Sequence, residues 1–336
     1  MHLLQVFELS NRNGLKMTLT DFGGRVISLQ VPDRNGKLDD IVLGYDHVEQ
    51  YINGNPYFGA LIGPFANRIA NGKFQLNEKL YHVPTNNGDN SLHGGPNGFH
   101  NVKWNVEKVN QTELHLSCFR SDGEDGFPGN LSVMVVYSLT DTNELMIDYR
   151  ATTDQATVVS LTHHSFFNLL GAGMGDVLGH ELLINAKYFC PVDKNLIPTG
   201  ELKLVKGGAF DFTVMRPIGE DIDLPEEQLI FGSGYDHNWV LNKKSDELSL
   251  AAKVKEPTTG RVMEVFTTEP GLQFYSGNFL NKNEIGKGGK VYDFRSAFCL
   301  EAQHFPDSPN QSNFPSTVLR PGEVYNQKTI YKFSVE

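Results

Sequence analysis

In the stretch Leu131-Ser132-Val133-Met134-Val135-Val136-Tyr137-Ser138-Leu139, apolar residues recur at every second position. Side chains of an extended strand alternate between faces, so Leu131, Val133, Val135, Tyr137 and Leu139 share one side and require a core to cover it. The flanking stretches 113–119 and 144–151 read the same way and form neighbouring strands of a meander. Near the carboxyl end, Tyr331, Phe333 and Val335 alternate with Lys332 and Ser334. Helical periodicity with proper caps is sustained nowhere; the short, acidic stretch 220–229 is the nearest candidate. The pattern predicts an all-β chain, a large antiparallel β-sandwich whose long loops carry the site.

Turn signals such as Asp33-Arg34-Asn35-Gly36, Asn86-Asn87-Gly88-Asp89 and Arg320-Pro321-Gly322 punctuate the apolar runs. The 33 glycines and 16 prolines are spread along the chain, and no repeat or charge block marks a boundary. A single domain over 1–336 is therefore expected, a length within reach of one large sandwich. The 11% of aromatic residues suit strands and a sandwich core, and ring faces also suit the C–H surfaces of a sugar.

The formal net charge is -11, and the 29 Lys and Arg never gather into a basic run, which argues against nucleic acid and anionic membranes as partners. Cys118, Cys190 and Cys299 are too few for a disulfide framework and read as buried free thiols. Met1-His2-Leu3-Leu4-Gln5-Val6-Phe7 lacks a basic segment followed by a long apolar one, and no run approaches membrane-spanning length. A cytoplasmic location is expected.

Five segments carry candidate chemistry. Glu301 lies in Phe298-Cys299-Leu300-Glu301-Ala302-Gln303-His304, where alternation places Ala297, Cys299, Glu301 and Gln303 on one face. A carboxylate in such a run is desolvated, which raises its pKa toward the range of a general base. A structural glutamate paired with an arginine fits equally well. In Leu161-Thr162-His163-His164-Ser165-Phe166-Phe167-Asn168-Leu169 the two histidines point to opposite faces, so only one of them lines a given pocket. Histidine suits proton transfer near neutrality, although a hydrogen-bonded core histidine is the commoner case.

The turn-rich Asn90-Ser91-Leu92-His93-Gly94-Gly95 displays His93, either for a site or simply to solvent. Gly234-Tyr235-Asp236-His237-Asn238-Trp239 interleaves polar and aromatic groups, as sugar recognition requires and as a turn leading into a strand also allows. In Phe65-Ala66-Asn67-Arg68-Ile69, Arg68 has the donors to bind a hydroxyl or steer a carboxylate. Other patterns fall away. Gly171-Ala172-Gly173-Met174-Gly175 opens no helix, so it is no dinucleotide loop. The histidines lack zinc-site spacing, and no Gly-x-Ser-x-Gly elbow is present. The acidic loop Asp122-Gly123-Glu124-Asp125 could hold a structural cation, with solvated loop charge the plainer reading.

In order along nearly the whole chain, these segments resemble the aldose 1-epimerase (galactose mutarotase) family. The resemblance starts with Asp21-Phe22-Gly23-Gly24 and Val31-Pro32-Asp33-Arg34-Asn35-Gly36 and continues through Gly63-Pro64-Phe65-Ala66-Asn67-Arg68-Ile69, Leu92-His93-Gly94-Gly95 and the His164 segment. Pro191-Val192-Asp193, Gly234-Tyr235-Asp236-His237-Asn238 and Glu269-Pro270-Gly271-Leu272-Gln273-Phe274-Tyr275 follow, and Leu300-Glu301-Ala302-Gln303-His304-Phe305-Pro306-Asp307 ends it.

The resemblance implies a sandwich with an open sugar cleft, an isomerase activity on free hexoses, and neither cofactor nor metal. It implies Glu301 as catalytic base, His164 as catalytic acid and His93 as the assisting histidine at the ring oxygen. Arg68, Asp236 and Gln273 are implied as ligands of substrate hydroxyls, with Asn67 also contributing. The family usually has Asn just before the catalytic histidine and Tyr two residues after it, where this chain has His163 and Phe166. The ending Phe167-Asn168-Leu169 sets the register on His164.

The implied partner is a small aldose, met by a monomer or homodimer. Three other readings remain at this point: a glycoside hydrolase using Asp236 and Glu301 as its carboxylates, a non-catalytic sugar-binding sandwich, and a family member acting on phosphorylated or unusual sugars, against which stands the lack of an Arg or Lys cluster around Arg68.

Overall fold

The computed structural model describes residues 4–55 and 57–336. The expected meander is present. Glu113–Arg120, Leu131–Leu139 and Glu144–Thr153 pair antiparallel in sequence order, inside a nine-stranded sheet. Tyr325–Val335 and Arg261–Thr267 extend that sheet on its other side. The alternating residues Leu131, Val133, Val135, Tyr137 and Leu139 all face inward and are buried.

The second layer is a five-stranded antiparallel sheet. Its last three strands carry the site: β1 (Asp236–Leu241), β2 (Gly271–Tyr275) and β3 (Cys299–Gln303). One face of this sheet is apolar, because Trp239, Leu272, Phe274, Leu300 and Ala302 join the core cluster that holds the inner face of the larger sheet. Tyr331 in the larger sheet donates its hydroxyl to Leu300 O at 2.9 Å, tying the two layers together. On the opposite face, cross-strand pairing aligns Asn238, Gln273 and Glu301 in one row, with Asp236, Tyr275 and Cys299 in the next. A strand period of two thus turns one sequence into a dry side and a reactive side.

Three expectations are corrected. The helix spans Glu227–Gly232 rather than 220–229, because Pro225 prevents helical continuation upstream. Cys190 and Cys299 are buried free thiols, but Cys118 is only partly buried, lying in a strand of the larger sheet. Val335 is 46% exposed where Tyr331 and Phe333 are buried, since the core ends before the last turn of the strand pattern.

No helix among the described residues is long and apolar enough to cross a membrane. The amino-terminal reading rests partly on Met1-His2-Leu3, which lie outside the described residues. The acids of the loop at 122–125 are taken up by protein donors. Asp122 accepts from Gly129 N at 2.6 Å, Glu124 from Ser121 N at 3.1 Å, and Asp125 pairs with Arg120 at 2.6 Å.

Candidate active site

A cleft of about 610 Å³ opens over the polar face of β1–β3, within the roughly 300–1,000 Å³ of small-molecule pockets. Asn67, Arg68, His93, His164, Asp236 and Glu301 all line it. Gln273 is buried beside Glu301 in the same cross-strand row and donates its amide to Asp236 Oδ1 at 2.8 Å.

Each polar side chain is delivered by a local rule. Glu301 sits mid-strand on β3, on the polar side of the alternation. His164 ends the short strand Thr162–His164, which pairs with Ala60–Ile62. Its neighbour His163 points the other way, into the core, where its ring meets Ser165 Oγ at 2.6 Å and the Tyr137 hydroxyl at 3.3 Å. His93 and Asn67 lie on two loops brought together by the Arg68–Leu92 strand pair. Asn86 closes the His93 loop by accepting from Leu92 N at 2.7 Å and donating to Leu92 O at 3.0 Å.

Asn67 N–H donates to His93 Nδ1 at 3.1 Å. A ring nitrogen that accepts carries no proton, so neutral His93 carries its proton on Nε2 and presents that N–H as a donor. Burial, then the neighbouring His164, holds the His93 pKa well below the usual 6.5, so the ring stays neutral.

His164 Nε2 and Glu301 Oε1 stand 3.6 Å apart, and both residues are buried. Burial first, and then the nearby Asp236 charge, pushes the Glu301 carboxyl well above its usual range, with Arg68 opposing. Burial also pushes His164 down to about 3. The proton expected on His164 therefore rests on Glu301, because a dry site favours the neutral pair over the ion pair. The number of protons is the same in either arrangement. With the carboxyl raised and the imidazole lowered, the pair holds one acidic proton between them.

Asp236 is held by Gln273 and by Arg68, whose Nη2 lies 3.9 Å from Asp236 Oδ2. Arg68 is itself oriented by Asn87, to which its Nε donates at 3.1 Å. Glu301 Oε2, Gln273 Oε1 and His164 Nδ1 are buried without a hydrogen-bond partner among the described residues. Buried polar atoms are rarely left so, except where a ligand or catalysis uses them.

A family model described as aldose 1-epimerase matches residues 5–332. The chain belongs to the aldose 1-epimerase family. It is 46% identical to galactose mutarotase of Rattus norvegicus over 321 residues, covering 96% of this chain and 92% of that one. Against aldose 1-epimerase of Escherichia coli it is 37% identical over 334 residues, covering 99% and 96%. A crystal structure of an aldose epimerase homologue from C. elegans superposes with a TM-score of 0.91 at 32% identity, covering 99% of both chains.

His93, His164 and Glu301 offer three ligand atoms within 4.8 Å of one another, close enough to invite a metal ion. The donor set does not fit one. Metal coordination needs a lone pair on His93 Nε2, and the Asn67 N–H at Nδ1 places the proton there instead.

Sequence reasoning did not single out Tyr57, Asn87, Leu196 or Phe279, which also line the cleft. In sequence Asn87 carries only a turn signal. Phe279, 55% exposed and stacked on Tyr275, follows the strand of Gln273 by a short turn, and that proximity is the clue that was available. Tyr57 is placed by Gly59, whose φ of +63° turns the chain so that its N–H donates to His164 O at 3.1 Å. A Cβ at Gly59 would meet Val26 O at 1.9 Å, so only glycine fits this turn.

Proposed function

We propose that this aldose 1-epimerase interconverts the α and β anomers of free galactose and glucose, with Glu301 as base and His164 as acid. The observation that carries the reading is the buried Glu301–His164 pair, 3.6 Å apart at the floor of the cleft. Opening a hemiacetal removes the O1 proton and protonates the ring oxygen O5 as the C1–O5 electron pair moves to O5 and C1=O1 forms. Glu301 as carboxylate takes the first proton and His164 as imidazolium gives the second. Rotation about C1–C2 presents the other aldehyde face, and the same pair working in reverse closes the opposite anomer. Each positioned transfer contributes roughly 10²–10⁴-fold.

His93 Nε2–H donates to O5, and Arg68, Asp236 and Asn67 bind hydroxyls, with Gln273 holding Asp236. No cofactor is required by these steps. Action on galactose is supported by the names of the mammalian relatives. Since the site draws on residues from Asn67 to Glu301, one domain over 1–336 is the natural unit. We propose action in the cytoplasm, which the free cysteines support, by a monomer or homodimer.

The hydrolase reading is less favoured because Gln273 and Arg68 already engage the Asp236 carboxylate. A binding module would have no use for a buried acid–base pair. Polarimetry of freshly dissolved α-D-galactose and α-D-glucose tests the proposal. Relaxation far faster than in buffer, with no sugar released from an aryl galactoside, supports it; relaxation at the buffer rate for both sugars overturns it.

A further inference from the structure

The ring of His164 is flanked by two aromatic rings lying nearly parallel to it. Tyr57 is 5.5 Å away between centroids with 19° between planes, and Phe166 is 4.9 Å away at 21°. Tyr57 also meets His93 edge-on at 4.8 Å, so one ring touches both histidines of the cleft. Neither aromatic residue is free to drift. Gly59 fixes the turn that carries Tyr57, and Phe166 packs edge-on against Phe58 at 4.8 Å and Tyr275 at 6.0 Å.

Aromatic faces are electron-rich and attract a cation, most strongly where water is excluded. We propose that Tyr57 and Phe166 are positioning residues that act through His164, setting its ring plane and stabilising its imidazolium form during ring opening. The inference rests on the reading of His164 as the acid. Before O5 is protonated, the shared proton moves from the Glu301 carboxyl to His164 Nε2, leaving a carboxylate and an imidazolium. Burial opposes this transfer, because two charges replace none in a dry cleft. The two π faces oppose burial on the imidazolium side without adding a charge that would compete with Glu301. They do so with residues that cannot exchange protons themselves near neutrality, since burial raises the Tyr57 hydroxyl to about 12.

The test compares wild type, Phe166→Leu, Tyr57→Leu, Phe166→Tyr and His164→Asn by polarimetry on galactose. Binding of 1-deoxygalactose, which has no O1 to react, is measured by calorimetry on the same proteins, with thermal melts to confirm folding. Leucine fills space without a π face, so each leucine variant is expected to lose about fivefold in kcat. Its affinity for 1-deoxygalactose should stay within about twofold, and Phe166→Tyr, which keeps the face, should recover the rate. Losses in kcat matched by equal losses in 1-deoxygalactose affinity would make the rings sugar contacts and overturn the proposal. So would wild-type kcat in both leucine variants while His164→Asn is inactive, which would leave the acid assignment standing. Activity retained by His164→Asn would remove that assignment and the inference together. If Phe166→Leu fails to fold, Tyr57→Leu decides alone.

Discussion

Asn67 and His93 hold each other: the Asn67 N–H donates to His93 Nδ1 at 3.1 Å, and the His93 N–H donates to Asn67 O at 3.0 Å. Both residues sit in the left-handed backbone region, with φ of +63° and +54°. Such conformations in non-glycine residues cluster where a site requires them. Here the reciprocal bonds fix both the backbone of the cleft and the tautomer of its histidine.

Because asparagine tolerates the left-handed region and alanine does not, Asn67→Ala should be less stable than Asn67→Gly, by about 1 kcal/mol. Both variants lose the Oδ1 acceptor that Arg68 N uses at 2.9 Å, so this comparison isolates the backbone. Denaturant unfolding of the pair checks it; equal stabilities would show that the turn carries no strain.

His93→Phe keeps an aromatic ring but removes the Nε2–H donor, and kcat should fall by about 10²-fold, as for loss of one preorganised donor. Steady-state polarimetry measures this. A loss confined to KM would place His93 in binding alone.

The pH dependence follows from the shared proton. Acidification adds a second proton to His164, leaving no base; its pKa is held near 3 by burial. Alkalinity removes the proton from Glu301, leaving no acid; its pKa is raised well above 4.5 by burial and by Asp236. The kcat/KM profile should therefore be bell-shaped, with its acid limb well below the 6.5 of an ordinary imidazole and its alkaline limb well above 4.5. An acid limb centred near an ordinary histidine value would refute the dry-pair account.

A second His–Glu pair serves stability. His304 Nδ1 lies 2.5 Å from Glu269 Oε2, and Tyr325 donates to Glu269 Oε1 at 2.9 Å, joining the ends of β2 and β3 to the larger sheet. Burial lowers the His304 pKa, but Glu269 outweighs it and the net shift is upward from 6.5. A raised folded-state pKa stabilises fully below the unfolded value and loses that contribution as pH rises through the folded one. His304→Gln should thus be destabilised more at about pH 6 than at about pH 9, by on the order of 1 kcal/mol. Unfolding curves at both pH values would contradict this if the two penalties were equal.

The alternation in Leu131–Leu139 made the meander legible, because a period of two has one folded outcome when one face is apolar. The same rule separated His164 from His163 and placed Glu301 on the polar side of its strand. It could not show that Gln273 donates to Asp236, since a strand row sets the face but not which neighbour a side chain bonds. The pairing of Asn67 with His93 depends on two left-handed turns 26 residues apart in sequence, which no local pattern encodes. Tyr57 was missed for a related reason: its contact with His164 is made by the Gly59 turn and not by any motif around Tyr57 itself.

The most direct measurement is polarimetric relaxation of fresh α-D-galactose by Glu301→Gln beside wild type and buffer. Glutamine keeps the shape of the side chain but cannot take a proton, so relaxation should fall by at least about 10²-fold, toward the buffer rate. Thermal stability should be unchanged or higher, because burial and Asp236 raise the Glu301 pKa, so folding carries the cost of protonating or desolvating this carboxylate, a cost that glutamine avoids. A folded Glu301→Gln protein that relaxes galactose at close to the wild-type rate would contradict the assignment of Glu301 as the base.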